Sequence, residues 1–508
     1  MNVLDRVVSY LSPAAGLRRV RARAAADIIA GRKPSDPRSS LRHYEGAASG
    51  RRTQGWVKTS TDANAALVSA LSTLRNVARD LVRNNGYAES AVTTIRDHTV
   101  GFGLEPKSTN ATAMKAWKAW ASGTSCDADG RLDFNGIQGL VMRTVAESGE
   151  CLIRRRRRLP EDKLPLPLQV QVLEPDYIDT ARMDSRLPNG GRILHGVEFD
   201  AIGRCVAYWL FPEHPGSLTT TTQASRRVPA EEIRHIFRVE RPGQIRGASW
   251  FAPVMLTFKD FDEYADATLM KQKVAACLAV ITSDNGTGTY LGQPDSEDPT
   301  LDRLEPGMVA RVAPGSSIEV VQPPSTADYP AYSKTALRAI ATGLGVTYED
   351  LTGDFSEVNF SSARMARLKH WARVEEWRWQ MLVPQLCAPV WGWVMEAAAV
   401  ALGQSIGGVK PESWTASPLP MIEPDAEGLA YQRLIRSGLM SLSEALRERG
   451  YDPDTVLAEI ASDNAKIDAL KLVLDSDPRN TSQAGQPVAT TAATPPAAAS
   501  TTPAAKKG

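Results

Sequence analysis

Long apolar runs, paired cysteines and clustered histidines are all missing from this 508-residue chain. No stretch reaches the roughly 18 consecutive apolar residues of a membrane-crossing helix, so no membrane span is expected. The N-terminus lacks the continuous apolar segment of a signal peptide. The five cysteines (Cys126, Cys151, Cys205, Cys277 and Cys387) are odd in number, far apart and form no C-x-x-C pair. That argues against a disulfide framework and fits a reducing compartment. The six histidines do not stand at ligand spacing from them, so zinc is not expected. An excess of positive charge is also lacking: the formal net charge is +1, which argues against a protein that clamps nucleic acid over most of its surface.

Catalytic signatures are absent too. No GxxxxGK[ST] follows a strand, and "GFG" (101–103) and "GLG" (343–345) are too short for a nucleotide-binding fingerprint, so they read as turns and caps. Asp350, Asp354 and Glu357 lack EF-hand spacing. His98 and His235 have no partner histidine nearby in sequence and read as structural. Nothing assembles a nucleophile, a base and an oxyanion hole, so neither an enzyme nor a cofactor is expected.

What the chain does contain is ordinary for a folded protein, with 43% hydrophobic and 23% charged residues. Residues 1–60 hold twelve Lys/Arg against four Asp/Glu, a basic arm that is either a flexible tail or a docking arm. Residues 475–508 are nearly all small or polar and cannot bury enough surface to order themselves, so they are expected to be disordered.

Between the ends, hydrophobic periodicity divides the chain. Leu67, Leu71, Leu74, Ala78, Leu81 and Val82 recur at helical spacing until "RNNGY" (83–87) ends the helix. A second helix carries Ala91, Ile95 and His98; others run from about Asn110 to Trp120 and from Phe134 to Ser148. "CLIRRRRR", "LQVQVLE", "ILHGVEFDAIGRCVAYWLF" and "IRHIFRV" are strand-like runs separated by turn signals. Residues 248–282 read as one or two long helices with a stripe of Phe251, Val254, Phe258 and Phe261, and residues 304–322 as a further β piece. A helix near 331–343, a long helix from about Ser361 to Leu402 and a helical group at 425–473 complete the pattern. The fold class is α+β, with a β-rich insert carried between helical supports.

Two stretches stand out. Arg154, Arg155, Arg156, Arg157 and Arg158 form a run that, as a strand, sends three guanidiniums to one face and two to the other. Five guanidiniums cannot all be buried, so the run is a solvated edge, an inter-subunit bridge or a DNA contact. The other is "GVTYEDLTGDFSEVNFSSAR" (345–364), polar and acidic between two apolar helical patterns. Ser361 and Ser362 there read as helix N-caps. Trp371, Trp377, Trp379, Trp391 and Trp393 crowd the long helix after it and read as core or subunit-interface packing.

Taken in order, "LRNVARDLVRNNGYAESAVTTIRDHTVGFGLEP", "ESGECLIRRR", "QVLEPDYID", "GVEFDAIGRCVAYWLF", "RPGQIRGASWFAPVMLTFKDFDEYADATLMKQKVAA", "LEPGMVARVAPG" and "LRAIATGLGVTYEDLTGDFSEVNFSSARMARLKHW", running into "LVPQLCAPVWGWVMEAAAVALG", closely resemble the lambda family of tailed-phage portal proteins over about 40–473. The resemblance implies a dodecameric ring at one capsid vertex. Double-stranded DNA would pass through its channel without sequence specificity, and the terminase large subunit, which hydrolyses the ATP, would dock on it transiently. Major capsid and scaffold proteins and later the connector or neck proteins would be further partners, in the host cytoplasm during assembly and then in the virion.

The resemblance also implies a portal layout: the basic arm at 1–60, wing at 61–132, stem helix at 133–149, β-rich clip at 150–245, stem helix at 246–283, α/β wing again at 284–345, tunnel loop at 346–361, long helix and wing–crown connection at 362–424, helical crown at 425–474 and the tail at 475–508. On that layout Asp354, Phe355, Ser356, Glu357, Val358 and Asn359 line the channel, and the Arg154–Arg158 run serves partner docking or subunit contact in the clip. Competing readings are a head–tail adaptor and a DNA-processing enzyme; the first lacks this helix–clip–helix order and the second needs a carboxylate metal cluster or a P-loop.

Overall fold

A computed structural model describes residues 60–218, 224–277, 328–417 and 423–472, with a few short pieces elsewhere. Most of the basic arm, of the β piece at 304–322 and of the C-terminal tail lies outside the described residues. The main compact unit begins at Ala63.

The first helices are α1 (Ala63–Leu67), α2 (Leu71–Asn84) and α3 (Gly86–Thr99). Asn85, in an extended conformation, separates the last two, and its side chain accepts from the backbone N–H of Tyr87 and Ala88. The same amide donates to Asp262 at 2.9 Å, which ties this corner to a later helix. After β1 (Glu105–Lys107), Asn110 caps α4 (Ala111–Ala121) and Asp133 caps α5 (Phe134–Ser148). The helical face expected for α5 is the buried one: Phe134, Ile137, Val141 and Val145 are at most 1% exposed.

Gly149 ends α5 at φ +91. A Cβ there would lie 2.3 Å from the Ala248 carbonyl carbon, and one on Gly247 would lie 2.2 Å from the Gly149 oxygen. Two glycines thus let the start and the finish of the β-rich insert pass in backbone contact. Within the insert, β2 (Glu150–Arg157), β3 (Leu168–Leu173) and β8 (Ile233–Phe237) form a three-stranded antiparallel sheet in the order β3-β2-β8. A meander of β4 (Arg192–Leu194), β5 (Val197–Phe199), β6 (Cys205–Leu210) and β7 (Arg226–Pro229) makes a second sheet. Strand alternation makes β2 a shared wall: Cys151 and Ile153 enter the main core, while Leu152 joins a smaller core with Tyr208, Leu210 and Val228.

The next helix, α6 (Met255–Cys277), begins later than its apolar stripe suggested. Phe251 and Val254 are buried, but they lie in the turns before it. The short strands β9 (Thr282–Ser283) and β10 (Arg311–Val312) pair in parallel. Then come α7 (Tyr329–Leu344), the one-turn α8 (Tyr348–Thr352) and α9 (Phe360–Glu376), so the stretch expected as a loop from 346 to 361 contains a short helix. The chain continues from α9 through a π-helical segment, Trp377–Cys387, into α10 (Ala388–Leu402). Pro384, which has no N–H, sits inside the widened segment.

From Ser361 to Leu402 this helix is long and apolar enough to cross a membrane, although no unbroken apolar run marks it in the sequence. Half of its most apolar window is buried in the fold. Trp377, Trp391 and Trp393 supply core packing, with Trp391 5.2 Å from Trp117 and Trp377 4.9 Å from Trp250 between ring centroids. Trp371 is half-buried and Trp379 is exposed, so the tryptophans divide between core and surface. The chain closes with β11 (Ser413–Thr415), paired to β1, and α11 (Pro424–Arg436), α12 (Leu442–Glu448) and α13 (Pro453–Ala469).

Candidate functional site

The polar stretch after α7 is built by successive helix stops and starts. Gly345 ends α7 at φ +83, and Val346 is buried just beyond it. Thr347 caps α8 by accepting from the Asp350 N–H at 3.0 Å, and Gly353 ends α8 at φ +70. Asp354 then holds a tight turn: its Oδ1 accepts from the Ser356 N–H at 3.0 Å and hydroxyl at 2.6 Å, and Tyr348 donates to its Oδ2 at 3.2 Å. The Ser356 contacts hold the Asp354 carboxyl below its usual range. Phe355, Ser356, Glu357 and Asn359 are exposed, whereas Asp354 and Val358 are half-buried.

One sequence expectation changes here. The cap of α9 is Asn359, with Ser361 exposed just inside the helix. The Asn359 side chain accepts from the Ser362 N–H at 2.8 Å while the Ser362 hydroxyl reaches back to the Asn359 backbone N–H at 3.2 Å. The amide wins because it stands three residues ahead of that N–H. Glu357, meanwhile, is not a free negative charge. Lys334 Nζ lies 2.5 Å from its Oε1 and Arg338 Nη2 lies 3.5 Å from its Oε2, and the Lys334 contact holds its carboxyl low. Asp350, Asp354 and Glu357 do not converge on one point; each has its own neighbours.

The arginine run follows strand alternation, and only its first member is flanked by strands on both sides, while Arg155, Arg156 and Arg157 pair with β3 alone. β2 pairs with β3 through Arg157 and with β8 through Arg154, so the run begins in the middle of a sheet. Arg155 shares the main-core face: its Nη1 is 2.7 Å from Glu396 of α10, and its guanidinium lies 5.8 Å from the Trp393 ring centre. On the other face Arg156 Nε donates to Gln171 at 2.9 Å and Arg158 Nε to Gln169 at 2.8 Å, both on β3. Arg154 is half-buried, with its Nε buried and unpartnered. Arg157 is the exposed member, with a side chain 65% accessible and a 3.7 Å contact to Glu232. Four of the five guanidiniums are therefore at least partly committed to packing within the chain.

Sequence reading missed two clusters formed by distant residues. Glu150, the first residue of β2, is fully buried against Arg246 and His235. His98 Nδ1 lies 2.8 Å from His370 Nε2 across a separation of 272 positions, so His98 does have a histidine partner. No local spacing signals either meeting.

A helical body carrying a two-sheet insert, with an exposed polar stretch between capped helices, defines an α+β structural scaffold. The chain belongs to the lambda family of phage portal proteins: residues 49–378 match the family described as "Phage portal protein, lambda family". It is 27% identical over 458 residues to the probable portal protein of Halomonas phage phiHAP-1, covering 83% of this chain and 86% of that one. It is 25% identical over 486 residues to the portal protein of Escherichia phage N15, covering 84% and 91%. Among solved structures it is similar to a chain in the neck of a native gene transfer agent particle computed with C12 symmetry, at 15% identity and a TM-score of 0.41, covering 74% of this chain and 94% of that one.

Proposed function

We propose that this chain closes into a portal ring at one capsid vertex and forms the channel through which DNA is packaged and later ejected. The family match over residues 49–378 carries this reading. Head-to-tail contacts between identical subunits close into a ring when their rotation permits, and a dodecamer is the state proposed. The ring works in the virion and is built in the host cytoplasm. Its role is mechanical, with ATP hydrolysed by the terminase large subunit that docks on it transiently. Major capsid and scaffold proteins surround it, and connector or neck proteins replace the terminase.

In this reading residues 354–359 approach the DNA and the insert from 150 to 245 is the clip. The loop suits a passage that must not grip: its carboxylates are internally satisfied and Glu357 is balanced by Lys334. Tight phosphate contacts would retard a moving duplex. Arg157, the exposed member of its run, is the proposed docking contact for terminase or connector. The test is packaging by procapsids assembled with and without this chain. Nuclease-protected DNA only in procapsids that contain it supports the reading; equal packaging without it overturns the reading.

A further inference from the structure

We propose that His98, His370 and Asp350 form a binding site for a transition-metal dication such as Zn(II), at the foot of the exposed loop. The three come from α3, α9 and α8, and their ligand atoms all lie within 4.8 Å of one another. They line a cavity of about 470 Å³, large enough for water to complete an ion's coordination.

Hydrogen bonding sets the His370 imidazole in the ligand form. The Gly345 carbonyl can only accept, so the 3.0 Å contact from His370 Nδ1 fixes the proton there and leaves a lone pair on Nε2. That lone pair accepts from His98 Nδ1 at 2.8 Å. A buried backbone carbonyl behind one imidazole is the support that metal-ligating histidines ordinarily have. Asp350 is oriented in a comparable way: Thr347 donates to its Oδ2 at 2.8 Å, and its backbone carbonyl accepts from Ser90 and Thr94 of α3.

An ion would take the place of the proton shared by the two rings. The His98 proton relocates from Nδ1 to Nε2, so both imidazoles stay neutral and none is released. Zn–N bonds of about 2.0 Å in a tetrahedral site place two ligand nitrogens about 3.3 Å apart, a small widening from the present contact. Asp350 swings inward to supply the third ligand. Arg367 and Arg378 also line the cavity and oppose a cation, but Asp97, Glu349 and Asp350 outnumber them.

The consequence is mechanical. Asp350 lies on α8, which Gly353 ends just before Asp354, so an ion would staple α8 to α3 and α9 and stiffen the loop at its base. The test is a Co(II) titration of the full-length assembled protein followed by visible absorption, then displacement by Zn(II). The expected result is one ion per chain with the absorption of a low-coordinate Co(II) centre. Asp350→Asn should bind more weakly than the parent, and His98→Gln should lose the signal. Circular dichroism of each variant checks its folding, and all titrations are repeated in a His214→Gln background, which removes the other group of possible ligands among the described residues (Glu174, Asp176 and His214) and should leave this signal unchanged. Zn(II) should also raise the thermal midpoint of the parent and not of His98→Gln. Absence of a Co(II) signal at millimolar metal, or a signal that survives His98→Gln, overturns the proposal.

Discussion

Glu150 and Arg246 form an ion pair sealed from water, with Arg246 Nε 3.0 Å from each carboxylate oxygen and both side chains 1% exposed. His235 adds a contact at 2.9 Å and the Gly247 N–H another at 2.8 Å. Glu150 begins the β-rich insert, whereas His235 and Arg246 lie at its end, so one buried carboxylate closes the insert onto the helical body. Removing one partner strands a buried charge, which costs about 3–5 kcal/mol. Arg246→Met should therefore lower the denaturation midpoint markedly and open the insert to limited proteolysis. Arg157→Gln, at the exposed end of the same strand, should leave both unchanged.

The same carboxylate sets an acid limit. Burial pushes Glu150 up, but the Arg246 charge and the His235 hydrogen bond outweigh it and hold the group well below the usual carboxylate range. A depressed folded-state value means that the stabilisation is fully present above the unfolded value of about 4.3 and is lost as pH falls through the lower folded value. Unfolding midpoints measured at pH values from neutral downward should fall below pH 4, and the Glu150→Gln variant should show a shallower dependence.

Cysteine reactivity depends on burial. Cys126 is pushed up to about 12, and burial raises Cys151 and Cys387 as well. These thiols are protonated at neutral pH and enclosed, so maleimide should label them slowly in the native protein and rapidly after denaturation. Mass spectrometry of labelled peptides checks this site by site.

At the start of α9, Asn359→Ala removes the cap and should cost about 1 kcal/mol, while Ser361→Ala should be close to neutral. Thermal unfolding of the two variants side by side distinguishes them.

Much of the fold was legible in the sequence because its signals are local. Asp133 and Gly149 bracket α5, and the period of its apolar residues fixes the buried face. "RNNGY" marks a helix break because Asn85 can cap the next helix. Strand alternation sorted the arginines onto two faces. It could not show that β8, some eighty positions later, would cover one side of β2 and make it a central strand. Lys334 beside Glu357, Arg246 beside Glu150 and His370 beside His98 are likewise brought together by packing at long range. The cap of α9 was readable in principle, since Asn359 stands at cap spacing from Ser362, but the serine pair gave the stronger local signal.

The loop charges give a functional prediction. Asp354→Lys with Glu357→Lys would set two new cations beside Lys334 and Arg338 on every subunit. Procapsids carrying the pair should package DNA more slowly at low salt, with recovery as salt rises and with normal heads. Unchanged packaging at low salt would place residues 354–359 away from the channel.

The central claim is a closed ring, and class-averaged electron microscopy of the purified full-length protein tests it most directly. The account predicts end-on averages of a single ring with an axial opening and uniform rotational symmetry. A protein that remains monomeric at every concentration and salt tried, or averages without a central opening, would contradict it.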